Sequence, residues 1–177
     1  IAAAILPKRV DFLQSGLDQG LIEVLGTHPP AERRLGSHDH IVRGLQFSAN
    51  GEWLYSGGWD ERVKAWPIKG PASAVQTLTD HSADIRSLAY HGGRQLLVST
   101  DEGGLVKLWD GRGEALRPLS TLNADSSAHA RAVWAAALSP DGQRLATGGK
   151  DKRIVLWDIA DPAHPVQLGE MVNRFHR

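Results

Sequence analysis

His38, His81 and His129 each stand 18 residues before a hydroxyl residue and 28 before a tryptophan: Ser56 and Trp66, Ser99 and Trp109, Thr147 and Trp157. A catalytic centre needs each of its residue types once. Three evenly phased sets therefore indicate one structural unit copied along the chain, and they turn the functional question toward surface recognition.

The periods are 43 residues from His38 to His81 and 48 from His81 to His129, near the roughly 40–45 residues of a four-stranded propeller blade. In the second unit, strands are expected over residues 42–47, 54–56, 62–66 and 74–78, with a hairpin turn at Asn50-Gly51 in which both central residues take positive φ. The third unit repeats this over 85–90, 96–99 and 105–109 with a turn at Gly92-Gly93, and its longer period is assigned to a polar connection over 116–128. The fourth has strands over 133–138, 144–147 and 153–157, with a turn at Asp141-Gly142. Ile154-Val155-Leu156-Trp157 is apolar at every position, which predicts a strand buried on both faces. A weaker first copy aligns residues 20–25 with 104–109, so that Leu25 takes the Trp position and Ser15 the hydroxyl position. The expected fold is all-β, with about four four-stranded antiparallel blades: a degenerate blade over 1–35, blades over 36–78, 79–122 and 123–170, and a tail over 171–177.

Composition narrows the function. The chain has 177 residues, 41% hydrophobic and 23% charged, room for a sizeable core. Twenty Lys and Arg balance twenty Asp and Glu, so no broad field draws the chain to nucleic acid or an anionic membrane. There is no cysteine, which removes disulfides and thiolate metal sites and fits a reducing compartment. A cytoplasmic protein without cofactor or metal is expected. No apolar run approaches the roughly 20 residues of a spanning helix, and the apolar residues 1–6 are too short for a signal core. The opening Ile is compatible with processing and is read as a longer protein lacking its first residues.

The sequence resembles the WD-repeat β-propeller family. The resemblance rests on His81…Leu108-Trp109-Asp110, on Ser139-Pro140-Asp141-Gly142…Gly148-Gly149-Lys150-Asp151…Leu156-Trp157-Asp158, and on Ser48-Ala49-Asn50-Gly51…Ser56-Gly57-Gly58-Trp59-Asp60…Trp66. It implies a buried network in each blade: His38, Ser56, Asp60 and Trp66 in the second, and His129, Thr147, Asp151 and Trp157 in the fourth. The third has His81, Ser99 and Trp109, but Gly103 stands where the acid is expected, which would leave His81 without a carboxylate. Further departures are Ser37, Asp80 and Ala128 before the three histidines, Pro67 after Trp66, and Gln19 and Leu25 in the first copy.

Catalytic readings are weaker than structural ones. Asp80-His81-Ser82 resembles a compressed triad, but neighbours in a strand point to opposite faces. His38-Asp39-His40 lacks the companion ligands of a metal site. The glycines and lysine of 142–150 lack phosphate-loop spacing and no helix follows them.

The resemblance also implies one loop-bearing face reached by three positions per blade. By counting, these are Ile41, Arg43 and Trp59; Asp84, Arg86 and Glu102; Ala132, Trp134 and Lys150; and Ala2 and Asp18 in the first copy. Trp and Arg dominate binding hot spots. The leading expectation is a non-enzymatic scaffold for a protein or peptide partner. A regulatory module of a larger signalling effector comes second, and a binder of a ligand in the central channel third. Four blades are the lower limit for a closed ring, and an open arc would expose two blade faces of roughly 300 Å² each. Missing blades are therefore expected, from the rest of a longer chain or from a second copy.

Overall fold

The computed structural model describes residues 5–6, 9–15, 21–25, 33–69, 71, 74–112, 115–122 and 129–172, with side chains from residue 34 onward. Among these residues lie sixteen strands in four four-stranded sheets and no α-helix. The first sheet is β1 (Ile5–Leu6), β2 (Arg9–Ser15), β3 (Leu21–Leu25) and β4 (Arg33–Ser37). The second is β5 (Val42–Phe47), β6 (Trp53–Gly58), β7 (Val63–Pro67) and β8 (Gln76–Leu78). The third is β9 (Ile85–His91), β10 (Leu96–Asp101), β11 (Val106–Asp110) and β12 (Arg117–Leu122), and the fourth β13 (Val133–Leu138), β14 (Arg144–Gly149), β15 (Arg153–Asp158) and β16 (Val166–Val172). Each sheet is a simple meander. Consecutive strands pair antiparallel, as the short turns between them require.

The chain divides into two compact units, Ile1–Ile85 and Arg86–Arg177. The first holds the first two sheets, with Leu35 of β4 packed in one cluster with Val42, Leu45, Leu54 and Trp66. The second holds the other two. There Val98, Val106, Leu108 and Leu122 of the third sheet interleave with Val133, Leu145, Val155 and Trp157 of the fourth. Each such fully buried aliphatic side chain contributes about 1.5–3 kcal/mol of transfer free energy.

Several sequence expectations change. The turns after β5 and β13 are not two-residue hairpins. Gly51 N–H donates to Ser48 O and Gly142 N–H to Ser139 O, and only the glycines take positive φ, 69° and 68°. These are four-residue turns closed by a left-handed glycine, held by the side chains of Ser48 and Ser139. After β9 the positive φ falls on Gln95, at 49°, rather than on Gly92 or Gly93. Residues 117–122, expected in a connection, form β12. They pair with β11 from Asp110↔Arg117 to Val106↔Leu122, because an unpaired β11 edge would strand its amides. β4 runs through Ser37 and β16 through Val172, beyond the limits of 35 and 170 expected for those blades.

The second unit is clasped by groups the repeat pattern does not announce. Arg94 donates to the carbonyls of Gly142, Ile159 and Ala160 at 2.6–2.9 Å. His91 accepts from Arg94 N–H through Nδ1 and donates from Nε2 to Pro140 O. A turn of the third sheet thus holds the first turn of the fourth and the segment after β15.

The expectation for β15 is half wrong. Val155 and Trp157 are buried, but Ile154 is 47% and Leu156 36% exposed. Their counterparts Val106 and Leu108 are wholly buried under the fourth sheet. The register is the same in both, since Thr100↔Val106 and Val98↔Leu108 match Gly148↔Ile154 and Ala146↔Leu156. The outer face of the fourth sheet thus carries the covered pattern of the third without a cover. It continues into β16, where Met171, paired with Ile154, is 66% exposed.

Candidate interaction surface

In the first unit the β6–β7 turn is tied to the segment entering β5. His38 is the link. Trp66 Nε1–H donates to Ser56 Oγ at 2.7 Å, and Ser56 O–H donates to His38 Nε2 at 2.6 Å. His38 Nδ1–H then donates to the Asp60 carboxylate at 2.8 Å. That order of donors gives the indole, the hydroxyl and both ring nitrogens of this relay a partner. Asp60 also accepts the amides of Asp39 and Arg62, and Trp59 N–H donates to Ile41 O.

The fourth sheet repeats the arrangement. Trp157 Nε1–H donates to Thr147 Oγ1 at 3.0 Å, Thr147 lies 2.9 Å from His129 Nε2, and His129 Nδ1 lies 3.1 Å from Asp151. Asp151 accepts the amides of Ala130 and Arg153, and Lys150 N–H donates to Ala132 O. A side chain at Gly58 or Gly149 would intrude here. A Cβ at Gly58 would lie 2.7 Å from Asp60 Oδ1, and one at Gly149 2.7 Å from Asp151 Oδ1.

In the third sheet Trp109 Nε1–H donates to Ser99 Oγ at 2.8 Å, and His81 is buried. The third sheet has its acid at a different place in the repeat. Asp101, at the strand position that Gly58 and Gly149 occupy elsewhere, is wholly buried and accepts Leu105 N–H at 2.8 Å. That amide is the counterpart of Arg62 N–H and Arg153 N–H. The carboxylate has moved two residues back, and the glycine of the pair has moved two residues forward to Gly103.

Asp60 and Asp151 make stability pH-dependent. Burial works to raise Asp60, but the His38 hydrogen bond and charge and the two amides outweigh it, so its pKa falls below the ordinary 3.8. Asp151 is lowered in the same way, burial being outweighed by the Arg153 amide, His129 and the Ala130 amide. A folded pKa below the unfolded value means a contribution complete above about pH 4–5 and lost as pH falls through the folded pKa. Denaturant midpoints should therefore fall from pH 5 toward pH 3, and Asp60→Asn should flatten that slope.

The rim positions are built by backbone irregularity. Register shifts between Val42 and Gly44 and between Val133 and Ala135 mark bulges at Arg43 and Trp134, and a bulge re-aims its side chain out of the sheet. Arg43 is exposed and Trp134 is 54% exposed. Ile41 and Trp59 are half-buried, and the Trp59 ring lies against His40 with centroids 5.5 Å apart. Asp84, also half-buried, lies next to the last residue of the first unit. In the second unit Arg86 Nε lies 2.6 Å from Glu102 Oε2, a charge contact whose angle falls outside hydrogen-bond geometry. Lys150 Nζ lies 3.8 Å from the other oxygen. Ala132 is buried and carries only its carbonyl to the rim. Ala2, Asp18 and Gln19 lie outside the described residues.

A cleft of about 430 Å³ lies at the opposite turns of the second unit, lined by Arg94, Asp110, Arg112, Leu119, Asp161 and Pro162. Its cations are engaged, Arg94 with three carbonyls and Arg112 with Asp110. Among the described residues, no group of three or more His, Asp or Glu is placed to hold a metal ion.

Sequence reasoning missed Asp101 and Arg94, and it expected open blade faces without placing one on β15 and β16. Asp101 was within reach: the third repeat exchanges Gly58…Asp60 for Asp101…Gly103 in plain register. Arg94 had no such signal, because its acceptors are carbonyls supplied by another sheet.

Comparison with known proteins follows the same repeats. The family model described as WD domain, G-beta repeat matches residues 31–67, 72–110 and 117–158. The human DDB1- and CUL4-associated factor 5 is 31% identical over 153 residues, 82% of this chain but 16% of that protein. The ribosome biogenesis protein WDR12 homolog of Drosophila erecta is 30% identical over 125 residues, 68% of this chain and 28% of that protein. Coronin-7 of Pongo abelii is 29% identical over 147 residues, 78% of this chain and 15% of that protein. The chain thus spans less than a third of each of these relatives. Among solved structures, a chain of a mitotic checkpoint complex superposes with a TM-score of 0.73 at 20% identity, covering 93% of this chain and 48% of that one.

Proposed function

The chain belongs to the WD-repeat family, and on that premise we propose that it is a non-catalytic platform that binds a protein or peptide through its tip-turn rims. The observation that carries this reading is the use of buried His, hydroxyl, Trp and Asp groups to brace turns, not to expose a reactive atom. His38 and His129 spend both ring nitrogens on that bracing, so neither has one left for substrate. The bulges at Arg43 and Trp134 raise large side chains beside the braced turns. The names of the relatives, which speak of associated factors, ribosome biogenesis and a checkpoint complex, support a role in protein assemblies.

The uncovered outer face of the fourth sheet supports a second element of the proposal. Further blades complete the array, supplied by a longer polypeptide or by a second copy, and the small share of its relatives that this chain covers fits the first source. In that setting the platform serves as a regulatory module of a larger protein. The cysteine-free composition supports a cytoplasmic location. A ligand in the central channel has less support, since Glu102 is bound to its neighbours' cations.

The test is to identify a partner by co-purification and mass spectrometry, then titrate it against variants. Trp59→Ala and Arg43→Ala should each weaken binding about tenfold, as hot-spot truncations do. Unfolding free energy should stay within about 0.5 kcal/mol for Arg43→Ala, as at an exposed site. Wild-type affinity in both variants would remove the rim assignment.

A further inference from the structure

We infer that the second unit carries a docking site for an acidic peptide segment, with a bulky apolar residue of the peptide set on Trp134 and a carboxylate set on Lys150. This rests on the platform reading above and adds the chemistry of the partner.

The argument begins with charge. Arg86 at the start of β9 and Lys150, Arg131 and Lys152 at the turns belong to this unit, and Glu102 faces Arg86 and Lys150. Asp101 and Asp151 are turned inward, where they accept backbone amides. Glu102 is held closely by Arg86 at 2.6 Å and only loosely by Lys150 at 3.8 Å. The Lys150 side chain is 48% exposed, which leaves it within reach of an incoming anion. Lys150 N–H on Ala132 O fixes this turn beside the strand that bears Trp134 two residues later. Lys152, at φ 67°, closes the same turn with its N–H on Gly149 O and is itself exposed.

Trp134 supplies the apolar half. Its counterparts by position are Arg43 and Arg86, and only here does an indole, 54% exposed, occupy the raised position. An exposed tryptophan beside a partly free ammonium matches a segment with alternating acidic and bulky apolar residues. Nucleic acid fits less well. It needs several phosphates neutralised along a track, whereas Glu102 interrupts this one and the chain has formal net charge zero.

The experiment selects a random peptide library on the whole protein and titrates recovered peptides by fluorescence anisotropy, with poly(U) RNA in parallel. Recovered peptides should carry Asp or Glu close to Leu, Phe or Trp. Lys150→Glu and Trp134→Ala should each weaken them about tenfold, and raising salt should act mainly through the Lys150 contact. Glu102→Gln frees two cations and should tighten binding roughly threefold. Unfolding midpoints of the variants, measured alongside, separate lost contact from lost fold. A basic consensus, or weaker binding by Glu102→Gln, would overturn the acidic chemistry while leaving the platform standing. Binding of poly(U) without any peptide would overturn the peptide site. Failure to recover any peptide or RNA ligand would overturn it too, and the rim test on Arg43 and Trp59 would then decide the platform by itself.

Discussion

Gly58→Asp should destabilise the first unit by about 2–3 kcal/mol, Asp60→Gly by a similar amount, and the two together by far less than their sum. The first substitution drives a side chain into space that the Asp60 carboxylate and the His38 ring already fill, with a Cβ 2.7 Å from Asp60 Oδ1 and 2.8 Å from His38 Nδ1. The second leaves a buried imidazole N–H and two amides without their acceptor. The double variant reproduces the residue order already present in the third repeat. There the acid is Asp101, the glycine is Gly103, and the carboxylate still receives the amide two residues beyond the glycine. A coupling free energy of at least about 1.5 kcal/mol is expected from urea unfolding of the four proteins in the cycle. Additive losses would mean that Asp101 is buried for some other reason and that the two arrangements are not interchangeable. The corresponding exchange in the fourth sheet, Gly149→Asp with Asp151→Gly, should behave alike, because Gly149 faces the same two groups at 2.7 Å.

Substituting Ile154 and Leu156 together by Lys should convert an associating chain into a monomer. The 177-residue chain presents an uncovered sheet face whose register positions are wholly buried one sheet earlier. Contiguous apolar surface of this kind draws sheets together. Light scattering on the unsubstituted chain should give a mass above that of one copy, and the double Lys variant should give the monomer with its unfolding midpoint retained. In a longer polypeptide that supplies a further blade, the same pair of lysines would be buried and should cost several kcal/mol, since a desolvated ammonium without a partner is expensive. A compact monomer from the unsubstituted chain would argue against any requirement for a covering blade.

Both expectations turn on features that the repeat frame reveals unequally. The phased His, Ser/Thr and Trp residues made three of the sheets and the order of their strands legible, because their spacing is set by strand length and turn length, and the family resemblance they carry implied the members of the second and fourth networks. Ser56 meets Trp66 across β6 and β7, and Thr147 meets Trp157 across β14 and β15, in the same local register. The turn after β5 was misjudged because Asn-Gly suggests a two-residue hairpin, whereas the Ser48 side chain closes a longer one. The strand over 117–122 was hidden by its polar composition, which suits an outer strand.

The sequence by itself determined what each copy is made of: local strand pairing follows from residues a fixed distance apart, and the family resemblance those residues carry implied the buried polar relay. Only the tertiary structure decided what lies between copies. It showed that Arg94 spans two sheets, that Asp101 receives the Leu105 amide, and that Glu102 ties Arg86 to Lys150. It also showed that Ile154 and Leu156 stand open. These depend on which face meets which neighbour, and an apolar strand reads the same whether or not a partner covers it.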